Sequence, residues 1–209
     1  MKKSDGFFSE DEQRRIEAAV EEAEKRTSGE IVPMVVGAAY DYPRAEIIGG
    51  GFFALAFASL FSWWWWNASL WAFLPAFLLL YLPCKWLIRF STPLKKLFIA
   101  EAEIDAEVEE KALVSFVEQG LHHTRDNTGI LILICLFEHR VEVLADRGIN
   151  EVVPTQTWQE IVAIVTEGLR QGQACNALCR AIDRCGEILT EHFPVREDDT
   201  DELPNLIID

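Results

Sequence analysis

The chain has 209 residues, half of them apolar, which is enough for one ordinary domain with a packed core and excludes global disorder. Against 34 acidic residues stand 19 basic ones, a formal charge of −15. That balance argues against nucleic-acid binding, which needs Lys and Arg to displace counterions from phosphates.

Ser9-Glu10-Asp11-Glu12 reads as a capping box that opens a first helix, with Ile16, Ala19, Val20 and Ala23 at helical spacing. Thr27-Ser28-Gly29 stops it. A short strand follows from Ile31 to Val36. Pro33 lacks an N–H, so this strand is expected at or near a sheet edge.

The next segment dominates the chain. Between Glu46 and Lys85, 38 consecutive residues carry no Asp, Glu, Lys, Arg or His. A single helix of that length would measure ~57 Å, whereas a bilayer core is ~30 Å thick. The block therefore reads as two spans, with a break at Asn67-Ala68-Ser69. Trp63 to Trp66 and Trp71 flank the break, as tryptophans at a membrane interface do. Arg44 precedes the block and Lys85, Arg89, Lys95 and Lys96 follow it, so the positive-inside rule puts both flanks in the cytoplasm. The expected location is the inner (cytoplasmic) membrane, with the lipid bilayer as one partner. Lys2 and Lys3 are followed by acidic residues where a signal peptide needs an apolar run. Gly49-Gly50-Gly51 offers a surface through which the hairpin could form homo-oligomers.

Beyond Pro93 a second long helix is predicted over 94–121, its buried face marked by Ile104, Val108, Phe116 and Val117. His122 and His123 end it, and on a helix they would point about 100° apart. Ile130 to Phe137 is apolar on both faces, as a covered central strand is. Glu138-His139 turns the chain into an alternating strand from Arg140 to Ala145, giving an antiparallel hairpin. The helix between the first strand and this one favours a parallel relation within one sheet. Thr157 and Glu160 are expected to cap a third helix that stops at Gly172, and a fourth runs from about Ala174 to His192. Glu197 to Glu202 is an acidic tail. The organisation read from this order is residues 1–43 and 91–195 as two parts of one domain, 44–90 as a transmembrane hairpin, and 196–209 as the tail. The fold class is α/β (α+β), a small mixed three- to four-stranded sheet flanked by helices and interrupted by the hairpin.

Catalytic signatures are scarce. Cys175, Cys179 and Cys185 lie on one predicted helix with spacing unlike that of zinc sites, and read as free thiols. Arg180 and Arg184 follow Cys175 and Cys179 at five positions, where a cysteine-phosphatase loop needs six. No G-x-S-x-G, P-loop or H-E-x-x-H occurs. Hairpin pairing brings Asp126 and Asn127 to the same edge as Asp146. These three are candidate oxygen ligands for a hard cation such as calcium; the bland alternative is turn formation, with Arg147 in a surface ion pair.

The elements just quoted, above all Thr27-Ser28-Gly29-Glu30-Ile31, Thr128-Gly129-Ile130-Leu131, Glu138 to Val143, Leu144 to Ile149, Trp158 and Phe193-Pro194, resemble the TPM domain family. The resemblance implies a small mixed sheet between helices. It also implies one of several roles linked to family members: acid phosphatase activity, calcium binding, photosystem repair or receptor assistance. No residue here maps onto a phosphatase nucleophile. The expected function is a non-catalytic, membrane-anchored module that binds or helps to assemble another membrane protein. The alternatives are an acid-phosphatase-like hydrolase and a calcium-binding domain.

Overall fold

The computed structural model describes residues 6–65, 69–124, 127–195 and 203–209. The chain divides into two compact units. One is Tyr40–Ile104; the other combines the residues up to Ala39 with Asp105–Asp209.

In the second unit, α1 (Glu10–Glu24) starts at the expected cap. The Ser9 backbone N–H donates to the Glu12 carboxylate at 2.9 Å, and the Glu12 N–H donates to Ser9 Oγ at 3.3 Å. Strand β1 (Glu30–Val36) pairs in parallel with β2 (Gly129–Cys135) over seven residues, Glu30 opposite Gly129 and Val36 opposite Cys135. Strand β3 (Arg140–Ala145) returns antiparallel to β2. A two-residue strand, β4 (Ile207–Ile208), lies parallel to β1. The sheet order is β3-β2-β1-β4.

Pro33 fits this order for a specific reason. The odd positions of β1 bond toward β4: the Asp209 N–H donates to the Val35 carbonyl at 2.9 Å, and the Gly37 N–H donates to the Asp209 carbonyl at 3.2 Å. Pro33 also faces that side, before β4 begins opposite Met34. Its missing donor leaves no ladder bond unmade. The short β4 grows from the segment expected as tail, while the acidic residues 197–202 lie outside the described residues.

Helices α1, α7 (Thr155–Arg170) and α8 (Ala174–His192) cover one face of the sheet. Ile31, Val35, Ile130, Ile132, Ile134, Val141 and Val143 meet Ile16, Val20, Trp158, Ile161, Leu178, Ile182 and Leu189 in one core. α7 begins at Thr155 after Pro154, two residues before the expected Thr157 cap, and has no side-chain cap. Helix α5 (Glu101–Glu118) is tied to the other face. Its Asp105 accepts from Arg140 Nε at 2.9 Å and its Lys111 lies 3.8 Å from the Asp209 carboxylate. Its buried positions are Ile104, Val108, Ala112 and Ser115, at spacings of four, four and three. Phe116 is only partly buried and Val117 is exposed, contrary to the sequence expectation. The predicted 94–121 helix is in fact two. A short α4 (Thr92–Lys96) precedes α5, with a break over 97–100. No Gly or Pro causes that break; Lys95 just before it and Ile99 within it are buried, a tertiary demand that periodicity does not reveal. His122 and His123 leave the helix in a 3₁₀ turn (Leu121–His123), where their ring centroids are 3.7 Å apart instead of diverging.

In the first unit, α2 (Pro43–Trp65) and α3 (Leu70–Phe90) form an antiparallel hairpin. Gly50 lets the helices close: a Cβ there would sit 2.8 Å from the Lys85 Cα. At the other end Ser62 Oγ donates to the Ser69 carbonyl at 2.9 Å. Of the expected break, Asn67 and Ala68 lie outside the described residues, and Ser69 immediately precedes α3. α2 starts at Pro43, so Arg44 and Glu46 belong to it. Glu46, in its first turn, where the helix dipole favours a negative charge, is buried and accepts from Lys95 Nζ of α4 at 2.8 Å.

A buried pair of this kind is costly to break from one side. Glu46→Gln should lower unfolding stability by about 3–5 kcal/mol. The double change Glu46→Leu with Lys95→Met should recover most of that loss. Thermal melts of the full chain in detergent check both.

Candidate functional site

The sheet has two chemically distinct ends. At the first, Asn127 sits at φ 56 and donates its N–H to the Thr124 carbonyl at 3.1 Å. Buried Thr124 accepts the Thr128 N–H on its Oγ1 at 3.0 Å. Asp146 ends β3 and caps the single turn α6 (Arg147–Asn150). Its N–H donates to the Gly129 carbonyl at 2.9 Å, and its Oδ1 accepts the Arg147 N–H at 2.6 Å. The Gly148 N–H donates to the Asn127 carbonyl at 3.1 Å, so Asn127 and Asp146 share this edge. Asp126 lies outside the described residues. Asp146 Oδ2 is buried and has no hydrogen-bond partner among the described residues. Arg147 pairs with Glu151 at 2.8 Å on the surface. Among the described residues no group of three or more His, Cys, Asp or Glu is placed to hold a metal.

This end is not the one that parallel strands favour for ligands. β3 runs antiparallel to β1 and β2, so Asp146 lies at the amino ends of both parallel strands. Ligands of open parallel sheets sit beyond the carboxyl ends, which are Val36 and Cys135.

At that second end the Leu136 and Phe137 N–H groups donate to the Val36 and Gly37 carbonyls, both at 3.0 Å. Buried Glu138 accepts the Ala39 N–H at 2.9 Å. His139 closes the turn at φ 57. Beside the turn lies a groove of about 400 Å³ whose floor includes Phe7, Ile134, Cys135 and Leu136. His139 from the turn, Arg140 from the start of β3, and Thr166, Leu169 and Arg170 from α7 complete it. Sequence reasoning missed this groove, because its α7 residues lie about thirty positions from its strand residues.

Three of the five cysteines are poor nucleophiles. Burial pushes the Cys135 and Cys185 thiols up to about 12, and burial with the neighbouring Cys175 pushes Cys179 up to about 11. All five cysteines are free thiols, and the three with such values stay protonated at neutral pH. Glu142, half-buried on the α5 side of the sheet, has its carboxyl raised by burial and by Glu109 and Asp105. The hairpin has its own recess of about 650 Å³, lined by Phe61, Trp71, Pro75, Leu79 and other small or apolar residues, with Ser69 as its only polar side chain among the described ones.

A family model described as the TPM domain matches residues 97–188. Over that stretch the chain is similar to the TPM domain. The match takes in α5, β2, β3, α6, α7 and most of α8; α1 and β1 precede the hairpin and complete the same sheet and core. The chain is also similar to the BA42 protein of the psychrophilic bacterium Bizionia argentinensis, whose structure was solved by NMR. The TM-score is 0.62 at 22% identity, covering 100% of this chain and 99% of that one. At that identity the likeness speaks for the fold. No curated protein matches the chain.

Proposed function

We propose that this TPM-domain protein is anchored in a membrane by its helical hairpin, and that the domain is a non-catalytic module which binds or helps to assemble a membrane protein complex. The observation that supports anchoring is the outer surface of the hairpin. Both α2 and α3 are long and apolar enough to cross a bilayer. Their exposed residues are large and hydrophobic: Phe52, Leu60, Trp64, Trp71 (87% exposed), Leu79 (77%), Trp86 and Phe90 among them. Contiguous apolar surface on that scale is foreign to a water-facing protein. The positive flanks at Arg44, Lys85 and Arg89 support a cytoplasmic domain. A binding role is further supported by Leu113, Val114 and Val117, an exposed apolar stripe at helical spacing on α5.

Alkaline carbonate washing tests the anchor. The full chain should stay in the membrane pellet, and a variant with residues 44–90 replaced by a Gly/Ser linker should move to the supernatant. Recovery of the full chain in the wash would end the anchoring proposal.

One observation favours a second role alongside the first. Asp146 Oδ2, buried beside Asn127 with no hydrogen-bond partner among the described residues, fits one oxygen ligand of a calcium site. The full chain in detergent should gain thermal stability with millimolar calcium, and Asp146→Asn should remove at least half of that gain. The same preparation should hydrolyse no phosphate ester above the buffer rate. Turnover lost in Asp146→Asn would instead make the protein a hydrolase.

A further inference from the structure

We propose that the groove at the carboxyl end of β2 binds a small organic anion, its charged group held by Arg170 and Thr166 and its apolar body by Phe7, Leu136 and Leu169. This goes beyond the membrane reading and does not depend on it.

The first argument is charge. The chain carries a formal −15, yet the ionisable residues lining this groove, apart from the neutral thiol of Cys135, are His139, Arg140 and Arg170, with no acidic side chain among the described lining. Asp105 approaches Arg140 from α5 and offsets that guanidinium. Glu167, one turn from the groove's α7 residues, is engaged by Gln171 at 2.6 Å. Arg170 is exposed and has no ion-pair partner among the described residues. It stands four positions after Thr166, so both side chains project from one face of α7. A planar guanidinium with a hydroxyl beside it suits a carboxylate or a phosphate oxygen pair.

The second argument is shape. A volume of about 400 Å³ falls at the small end of ligand pockets, which are lined mainly by apolar groups with a few convergent polar ones. The floor here is aromatic and aliphatic, so inorganic phosphate alone would leave it unfilled. The third argument is position, beyond the carboxyl end of a parallel strand. The chain also keeps His139 in left-handed backbone, where glycine or asparagine is easier to accommodate.

Calorimetric titration of the full chain in detergent with phenyl phosphate, benzoate and inorganic phosphate tests this. At least one aromatic anion should bind, more tightly than inorganic phosphate and more weakly as salt rises from about 0.05 to 0.5 M. The tighter of benzoate and phenyl phosphate identifies the charged group. Arg170→Gln should weaken binding at least about tenfold with an unchanged melting temperature, because the side chain is exposed. Arg184→Gln, which removes an exposed positive charge on α8, should leave binding unchanged. The proposal is overturned if none of the anions binds at millimolar concentration, if inorganic phosphate binds as tightly as the aromatic anions, or if Arg170→Gln binds like the parent.

Discussion

The structure depends on the pairing of β1 with β2. Seven consecutive residues of each lie in parallel register, and every position of both strands is buried. Their side chains supply the centre of the core on one face and the bed beneath α5 on the other. Parallel neighbours require a crossover, and here the crossover contains the whole apolar hairpin. The chain leaves the sheet after Val36, makes two long helices, and must return to Gly129 in register. Two passes satisfy that condition whatever the hairpin is embedded in, since an antiparallel pair of helices starts and finishes at the same end. A single pass of the same length would strand β1 away from its partner.

Much of this was legible in the residues. Ser9 and Glu12 marked α1 because a capping box is a local device. The β2–β3 hairpin was legible because one strand is apolar on both faces and the other alternates. The parallel relation of β1 and β2 followed from the helices between them. What stayed hidden was tertiary. β4 is two residues long and has no pattern of its own; it exists because β1 offers an open edge past Pro33. The buried face of α5 runs through Ala112 and Ser115, small residues that an apolar periodicity passes over in favour of Phe116 and Val117. The split between α4 and α5 reflects the buried Lys95 and Ile99, and no local breaker. His122 and His123 meet because the helix ends before them.

The candidate sites divide the same way. Asn127 and Asp146 could be placed together from hairpin pairing alone. The groove could not be found so, because it joins the end of β2 to the last turn of α7, and only the fold brings them together. Its chemistry contrasts with the rest of the molecule: basic and apolar where the surface is acidic, and lined by a Cys135 thiol that burial keeps neutral.

The central claim is that a two-span hairpin interrupts a single TPM-type domain and returns the chain to the same side of a membrane. Sidedness tests it most directly. Single cysteines placed at Glu10 and at Glu191, in a chain otherwise free of cysteine, would be labelled with an impermeant thiol reagent in vesicles of known orientation. The account predicts that both positions react from the cytoplasmic face and neither from the opposite one. Reaction of the two positions from opposite faces would contradict it, because β1 and β2 could not then share a sheet.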